Sequence, residues 1–499
     1  MSKNNFFFLL IVFLLSNLLV RGPDLARFLK TPADKVFAGQ ASWFDPWDLN
    51  VYFAAIGWGQ RGHFTFANVY DTLAQDELAI FPLYTFLGRV FHSFSLSNAL
   101  IFHLAGIITS FFFLIILWWF INFFEKDRFN QKVLLSWLVF AGGLGWLSFP
   151  DLLLPDLGQP GFTFESALRR PHEAVSLSLF LVSLGVFWQA FRQPKTFFFL
   201  SATLAALLMS FFHPYSLLPL AAILGVFGLQ QWFKARRFQF FLPPALVALA
   251  GLVYYLTAGK TLLINPGFGG LLGQVQHSYS PLKVVLGWGW FAPFIFLGLI
   301  KTPNLAFIKI WFLTHWLTTY LPLGFQKLFI KGLWLPVLLL ALQGVLLATQ
   351  KAKFLYRPLV FTLLFLGSFS NLFTFYKRLT EPAQNPWFYL SQDENQILHY
   401  LNTRGQNEEG VLAEYRLANQ IPALTSKRVY AGHPFQTPDF DQRIAQVNLF
   451  LQAKMTDSEA ATFINQAKIT WVIAPTNPYP QLLQLALATP SLNLYKFNH

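Results

Sequence analysis

Cysteine is absent from the 499 residues, so no disulfide, thiolate metal site or cysteine nucleophile can operate. Charge is scarce as well: 12% of the chain is Asp, Glu, Lys or Arg, against about 25% in ordinary soluble domains. That shortage excludes a soluble globular enzyme, because so few polar groups cannot cover a sphere that must also hide fifty-nine Phe. Acid is scarcest of all, with not one Asp or Glu from Ala174 to Thr380. The gap argues against proton coupling through the apolar segments of that stretch. What fills the chain is hydrocarbon, at 55% hydrophobic and 18% aromatic residues, and the chain reads as an integral membrane protein. Its formal charge of +13 then reads as anchoring to the cytoplasmic face rather than as nucleic-acid binding.

Apolar runs near 6–20, 99–124, 133–149, 174–191, 196–212, 215–233, 240–258, 284–300, 305–321, 333–349 and 358–375 predict eleven spans. The first is expected to be a retained helix rather than a signal peptide, since Leu-Leu-Val-Arg-Gly is a poor cleavage site. Short basic connections recur on one side: Lys126 to Lys132, Arg192 to Lys195, Lys234 to Arg237, Lys301, and Lys351 to Arg357. With Lys3 and Lys309 that face carries fourteen Lys and Arg against two acids, so it is the cytoplasmic one. The chain is expected in the plasma (inner) membrane with its N-terminus inside and its C-terminal domain outside.

Eleven of the thirteen acids before residue 377 fall in two outer loops, 21–98 and 150–173. Loops of the first kind, far longer than a connection needs, are usually functional. Its Asp48 to Trp58 segment reads as a helix capped by Asp45 or Asp48 and lying along the membrane surface. Ala79 to Leu87 is a second apolar piece, too short to span, expected on or re-entering the outer leaflet. Together they predict a structured lid over the bundle. Residues 377–499 balance ten Lys and Arg with ten acids, so the whole excess charge belongs to the membrane domain, 1–376. The tail predicts helices at Asp393–Asn402, Asp439–Met455, Asp457–Ala467 and Tyr479–Ala488, with strands at Gly410–Glu414, Arg428–Ala431, Thr470–Ala474 and Asn493–Phe497. That alternation is a small α/β layer.

Asp45 and Asp48 sit three residues apart, followed by Tyr52, Arg61 and His63. One such carboxylate can deprotonate an acceptor hydroxyl; a helix cap plus a surface charge is the alternative. A divalent cation held by the pair stays open, and no metal ligand set is assigned. Arg169, Arg170 and His172 at the start of the fourth span can grip a phosphate, or merely anchor the helix at the interface. His213 can add a polar contact, or serve only its own turn. Lys327 and Lys331, four apart beside Gln326, lie on the outer side against the charge bias. They suggest either a lipid phosphate or headgroup snorkelling.

With its first helix, long acidic outer loop, about eleven spans and outer C-terminal domain, the chain resembles the GT-C glycosyltransferases. It is similar to their bacterial branch related to protein O-mannosyltransferases and the lipid A aminoarabinose transferase. Asp48, Tyr52 and Phe81-Pro82-Leu83-Tyr84 match that branch in order and spacing, although Leu49 stands where a Glu is usual and Asp45 lies upstream instead. A group of bacterial membrane proteins resembles it further through Asp48 to Tyr52, Gly142 to Trp146, Pro171-His172, His213-Pro214, Gly324 to Lys327, Arg428 to His433 and Thr437 to Phe440. The resemblance implies an α-helical polytopic membrane fold and a polyprenyl-phosphate-linked sugar as donor. The acceptor, a glycan, lipid or protein, would lie on the extracytoplasmic face. In that picture Asp48, or Asp45, is the base, while charge and side suggest Lys327, Arg170 and His172 as holders of the donor phosphate. A transporter or flippase of lipid-linked sugars is the alternative; it needs no base and is expected to show internal repeats, which are not evident.

Overall fold

The structure, a computed structural model, describes residues 3–73, 76–265, 276–302, 305–382 and 384–497. Among these, seven helices are long and apolar enough to cross a membrane: Lys3–Leu29, Asn98–Phe124, Pro171–Arg192, Pro214–Ala235, Phe238–Ile264, Pro281–Lys301 and Lys353–Thr380. The other four expected runs are helical but shorter, at Arg128–Phe140, Thr196–Ser210, Ala306–Thr318 and Trp334–Ala348. None of the four reaches the roughly 20 residues that a straight span needs.

The chain divides into two compact units. The first comprises Met1–Pro23, Ala105–Thr257 and Val275–Lys377 and holds most of the apolar helices. Its centre is Trp334–Ala348, buried from Trp334 through Leu342. A helix apolar on every side is stable only when covered on every side. It packs against Pro281–Lys301 through glycines: a Cβ on Gly344 would meet the Phe294 carbonyl oxygen at 1.9 Å, and one on Gly298 the Leu340 carbonyl oxygen at 2.1 Å. Hydrocarbon offers no hydrophobic drive between helices, so such close backbone approach is how they gain contact.

The second unit joins Asp24–Leu104 and Ala258–Gln274 to Arg378–His499, so the tail shares its core with the long segment between the first two apolar helices. Lys35–Phe37 pairs antiparallel with Tyr389–Ser391, Val36 opposite Leu390. Arg378 anchors the same region by an ion pair to Asp24 (2.7 Å) and a hydrogen bond to the Ala41 carbonyl. The main sheet has five strands in the order Arg428–Val429, Gly410–Leu412, Ile469–Ala474, Asn493–Phe497 and Leu483–Ala488. The first three run parallel and the last two pairings are antiparallel. Helices Gln392–Arg404 and Asp457–Gln466 each begin with a reciprocal capping box, Ser391 with Glu394 and Thr456 with Glu459.

Two expectations for this unit need correction. Within Tyr479–Ala488, the segment Leu483–Ala488 is a strand, not a helix. Leu, Gln and Ala favour helices, yet pairing with Asn493–Phe497 outweighs a propensity of a few tenths of a kcal/mol per residue. The helix after Asp45, Pro46–Gln60, is not a surface helix either, since every residue from Asn50 to Gly59 is buried. Its apolar residues surround it instead of forming a stripe, which is the pattern of a core helix. It packs on Pro82–Val90 so closely that a Cβ on Gly59 would stand 2.0 Å from the Thr85 carbonyl oxygen and one on Gly88 2.0 Å from that of Ile56. The apolar piece expected in the leaflet is therefore partner to a buried helix.

Candidate active site

Proline at the first position of Pro46–Gln60 fixes the helix start, with Asp45 at the N-cap position and Asp48 in the first turn. Asp45 makes no side-chain capping bond; its Oδ1 accepts the Ser42 hydroxyl at 2.8 Å. Asp48 keeps 27% of its side chain exposed, so a substrate can reach it. One turn on, the Tyr52 hydroxyl donates to Asp48 Oδ2 at 3.3 Å, and Tyr52 itself is buried in a stack with Tyr84 and Phe102. Tail residues complete the surroundings. Asn419 Oδ1 accepts from Asn50 Nδ2 at 2.7 Å, and the Asn419 carbonyl accepts from the Tyr70 hydroxyl at 3.1 Å. Burial, and behind it the charge of Asp48, pushes the Tyr70 phenol well above its ordinary range.

His433 Nε2 faces Asp48 Oδ1 at 3.8 Å. Its tautomer follows from its neighbours: Nδ1 accepts from the backbone N–H groups of Phe435 (3.1 Å) and Gln436 (3.2 Å). A neutral imidazole with an accepting Nδ1 carries its proton on Nε2, the atom turned toward Asp48. Burial holds His433 down at about 3, so the ring stays neutral, and its Nε2–H, buried with no hydrogen-bond partner among the described residues, cannot serve as a base. The unfolded chain takes up a proton below pH 6.5 that the folded chain refuses until about 3. Stability due to this residue is therefore full above pH 6.5 and falls as pH drops toward 3, by up to about 1.4 kcal/mol per unit. Thermal unfolding at pH 6.5 and 4.5 should show wild type losing more stability than His433→Gln; equal losses would remove His433 as the source.

Sequence proximity grouped Arg61 and His63 with Asp48, and the helix separates them. Arg61 is the C-cap residue, thirteen positions and about 20 Å along the axis from Asp48. His63 pairs with Glu77 at 2.7 Å and packs against Trp58.

In the first unit the expected phosphate grip is reorganised by an acid. Glu173 is 1% exposed, and its Oε1 accepts from Lys331 Nζ at 2.5 Å. Lys331 also reaches the Tyr215 hydroxyl (3.1 Å) and His213 Nε2 (3.4 Å). Burial drives the His213 imidazole well below its ordinary range, so it stays neutral. His172, Glu173 and His213 offer ligand atoms within 4.8 Å of one another. The Lys331 ammonium already lies against two of them, so this trio does not fit a resident metal while that lysine is in place. Arg169 is neutralised by a two-bond pairing with Glu165 (3.1 and 2.8 Å). Arg170, at the N-cap position of Pro171–Arg192, is buried. Of the i, i+4 lysines only Lys327 is left half-exposed, its ammonium 4.8 Å from the Tyr279 ring centre and held below the usual lysine range by partial burial. Gln326 beside it is buried, with Oε1 lacking a hydrogen-bond partner among the described residues.

Three contributors were not singled out as site residues by sequence reasoning. His433 stood in a matching segment, but nothing local tied it to Asp48. Glu173 was one letter of a basic cluster. Asp156 is buried and accepts from the Gly143 and Gly145 N–H groups (2.9 and 3.1 Å) and the Ser370 hydroxyl (2.7 Å). It fixes the Gly142-Gly143-Leu144-Gly145 turn rather than facing a substrate.

No protein-family model matches the sequence, and no curated protein does. The fold has solved counterparts. The oligosaccharyltransferase of Archaeoglobus fulgidus, crystallised tethered to an acceptor peptide, matches with a TM-score of 0.54 and 13% identity over 94% of this chain and 69% of that one. That protein has also been crystallised with zinc and sulfate. ArnT from Cupriavidus metallidurans bound to undecaprenyl phosphate matches with a TM-score of 0.51 and 10% identity, over 96% and 97% of the two chains. The mycobacterial arabinofuranosyltransferase AftD gives 0.57 and 13%, over 100% of this chain and 40% of that one. All three are GT-C membrane glycosyltransferases, and this chain has their fold: mostly helical, membrane-spanning, with a small C-terminal sheet region.

Proposed function

We propose, from the GT-C fold and the setting of Asp48, that this chain transfers a sugar from a polyprenyl-phosphate-linked donor to an acceptor on the extracytoplasmic face, with inversion. The observation that carries the reading is a reachable carboxylate on the first turn of a helix buried from Asn50 to Gly59, with Tyr52 and a neutral His433 turned toward it. Asp48 takes the proton from the acceptor hydroxyl as that oxygen attacks the sugar's anomeric carbon. The bond from that carbon to the phosphate oxygen breaks, and its electron pair leaves with the polyprenyl phosphate. Asp45 is the second candidate for the base.

Stabilising the departing phosphate is the larger part of such a reaction. Within the first unit Lys327, with Gln326 beside it, is the candidate ligand for a donor phosphate, because Lys331 and Arg169 are already matched to carboxylates and Arg170 is buried. Binding to polyprenyl phosphate should then weaken about tenfold in Lys327→Met, the loss of one charge-assisted contact of roughly 1.4 kcal/mol. Titration of the protein in nanodiscs, read by native mass spectrometry, checks this. Unchanged affinity would remove Lys327 from the donor site.

A further inference from the structure

The second unit contains a solvent-open cavity of about 420 Å³ at the far end of Pro46–Gln60 from Asp48, whose lining includes Gln60, Arg61, Asn98, Asn402, Asn407 and Ser426. Four carboxamides and a guanidinium share this wall, and among the described residues no carboxylate lines it and Leu424 is its one large apolar side chain. Three of the amides have fixed orientations, because each donates to a backbone carbonyl: Gln60 to Leu96 (2.8 Å), Asn98 to Ala423 (2.9 Å) and Asn402 to Leu424 (3.0 Å). Fixing the NH₂ groups leaves the amide oxygens as acceptors, and Asn98 Oδ1 is buried with no partner among the described residues. Gly57 leaves the room for this, since a Cβ there would stand 2.8 Å from Asn98 Nδ2.

The cations around the cavity are unequally matched. Arg428 pairs with Glu408 at 2.7 Å and Lys427 with Glu409 at 3.2 Å. Arg61 lies over the face of buried Trp58, its guanidinium 4.7 Å from the ring centre, and Arg428 approaches the same ring at 5.4 Å. Among the described residues the Arg61 guanidinium has no hydrogen-bonded or ion-paired partner and its Nε is buried unsatisfied, although the charge of Glu408, shared with Arg428, also acts on it. A buried donor left unmade is costly, and a planar fork of N–H groups suits a carboxylate.

We infer that this cavity binds a carboxylated sugar, a uronic acid residue whose carboxylate lies on Arg61 and whose hydroxyls donate to the carboxamide oxygens. The volume is that of a small-ligand pocket. The site is one of binding and stands independently of the transfer proposed for Asp48.

The test is calorimetric titration of the full chain in nanodiscs with methyl glucuronide, methyl glucoside and glucose 6-phosphate. The glucuronide should bind at least tenfold more tightly than the glucoside, and Arg61→Gln should abolish that preference. Arg61 packs on a core tryptophan, so a second variant guards against misfolding: Asn402→Asp, on an exposed position, should repel the carboxylate and weaken glucuronide binding at least tenfold. Any one of four results would overturn the inference: equal binding of glucuronide and glucoside, tighter binding of the phosphosugar, no binding of glucuronide, or glucuronide binding that survives both substitutions.

Discussion

Asp48→Asn is expected to lower sugar transfer by roughly 10³-fold, within the 10² to 10⁴ range for loss of a general base, while the protein stays folded and still binds donor lipid. Asparagine keeps the shape of the side chain and an oxygen to accept the Tyr52 hydroxyl, so the first helical turn keeps its packing. What disappears is the capacity to take a proton. Neutral His433 cannot replace it, because its Nδ1 is committed to two backbone donors and its Nε2 already carries hydrogen. Asp45→Asn is the comparison: Asp45 is held by Ser42 three residues upstream, and its loss should cost at most tenfold. If Asp45→Asn is the silent enzyme and Asp48→Asn the active one, the two acids exchange roles. Initial transfer rates at saturating donor separate the cases.

The largest expected effect on stability lies in the first unit. Glu173 and Lys331 are 1% and 5% exposed, and removing one partner of such a pair strands the other charge. Glu173→Gln or Lys331→Met alone should destabilise by about 3–5 kcal/mol. The double variant Glu173→Gln with Lys331→Met removes both members of the pair, leaves only the weaker attraction between Arg170 and Glu173 unmade, and should recover most of that loss. Thermal unfolding in one detergent, run on all four proteins, gives the coupling directly. Additive losses would mean that the two residues act separately, and Lys331 would return to candidacy as a phosphate ligand.

The membrane class was legible because it rests on summed composition, and the acid map singled out the loop that carries Asp48. Pairings between distant residues were not legible. Glu173 and Lys331 are 158 positions apart, and no periodicity joins them. His433 meets Asp48 only because the tail and the first loop form one core. Arg61 shows the opposite error, since nearness in sequence becomes distance once the intervening residues wind into a helix. The burial of Pro46–Gln60 was ambiguous in principle, because an apolar helix beside a bilayer can be covered by lipid or by protein. Its glycines, Gly57 and Gly59, were the available hint, since they are places where another chain segment comes close. Leu483–Ala488 had the composition of a helix and became an edge strand because Asn493–Phe497 offered it a partner.

The most direct test of the central claim is native mass spectrometry of wild type and Asp48→Asn, each released from its own membrane under conditions that retain bound lipid. If Asp48 drives discharge of a lipid-linked donor, wild type should carry polyprenyl phosphate and Asp48→Asn the sugar-charged form, the mass difference identifying the sugar. Finding only bulk phospholipid on both proteins, or the same polyprenyl species in the same ratio, would contradict it.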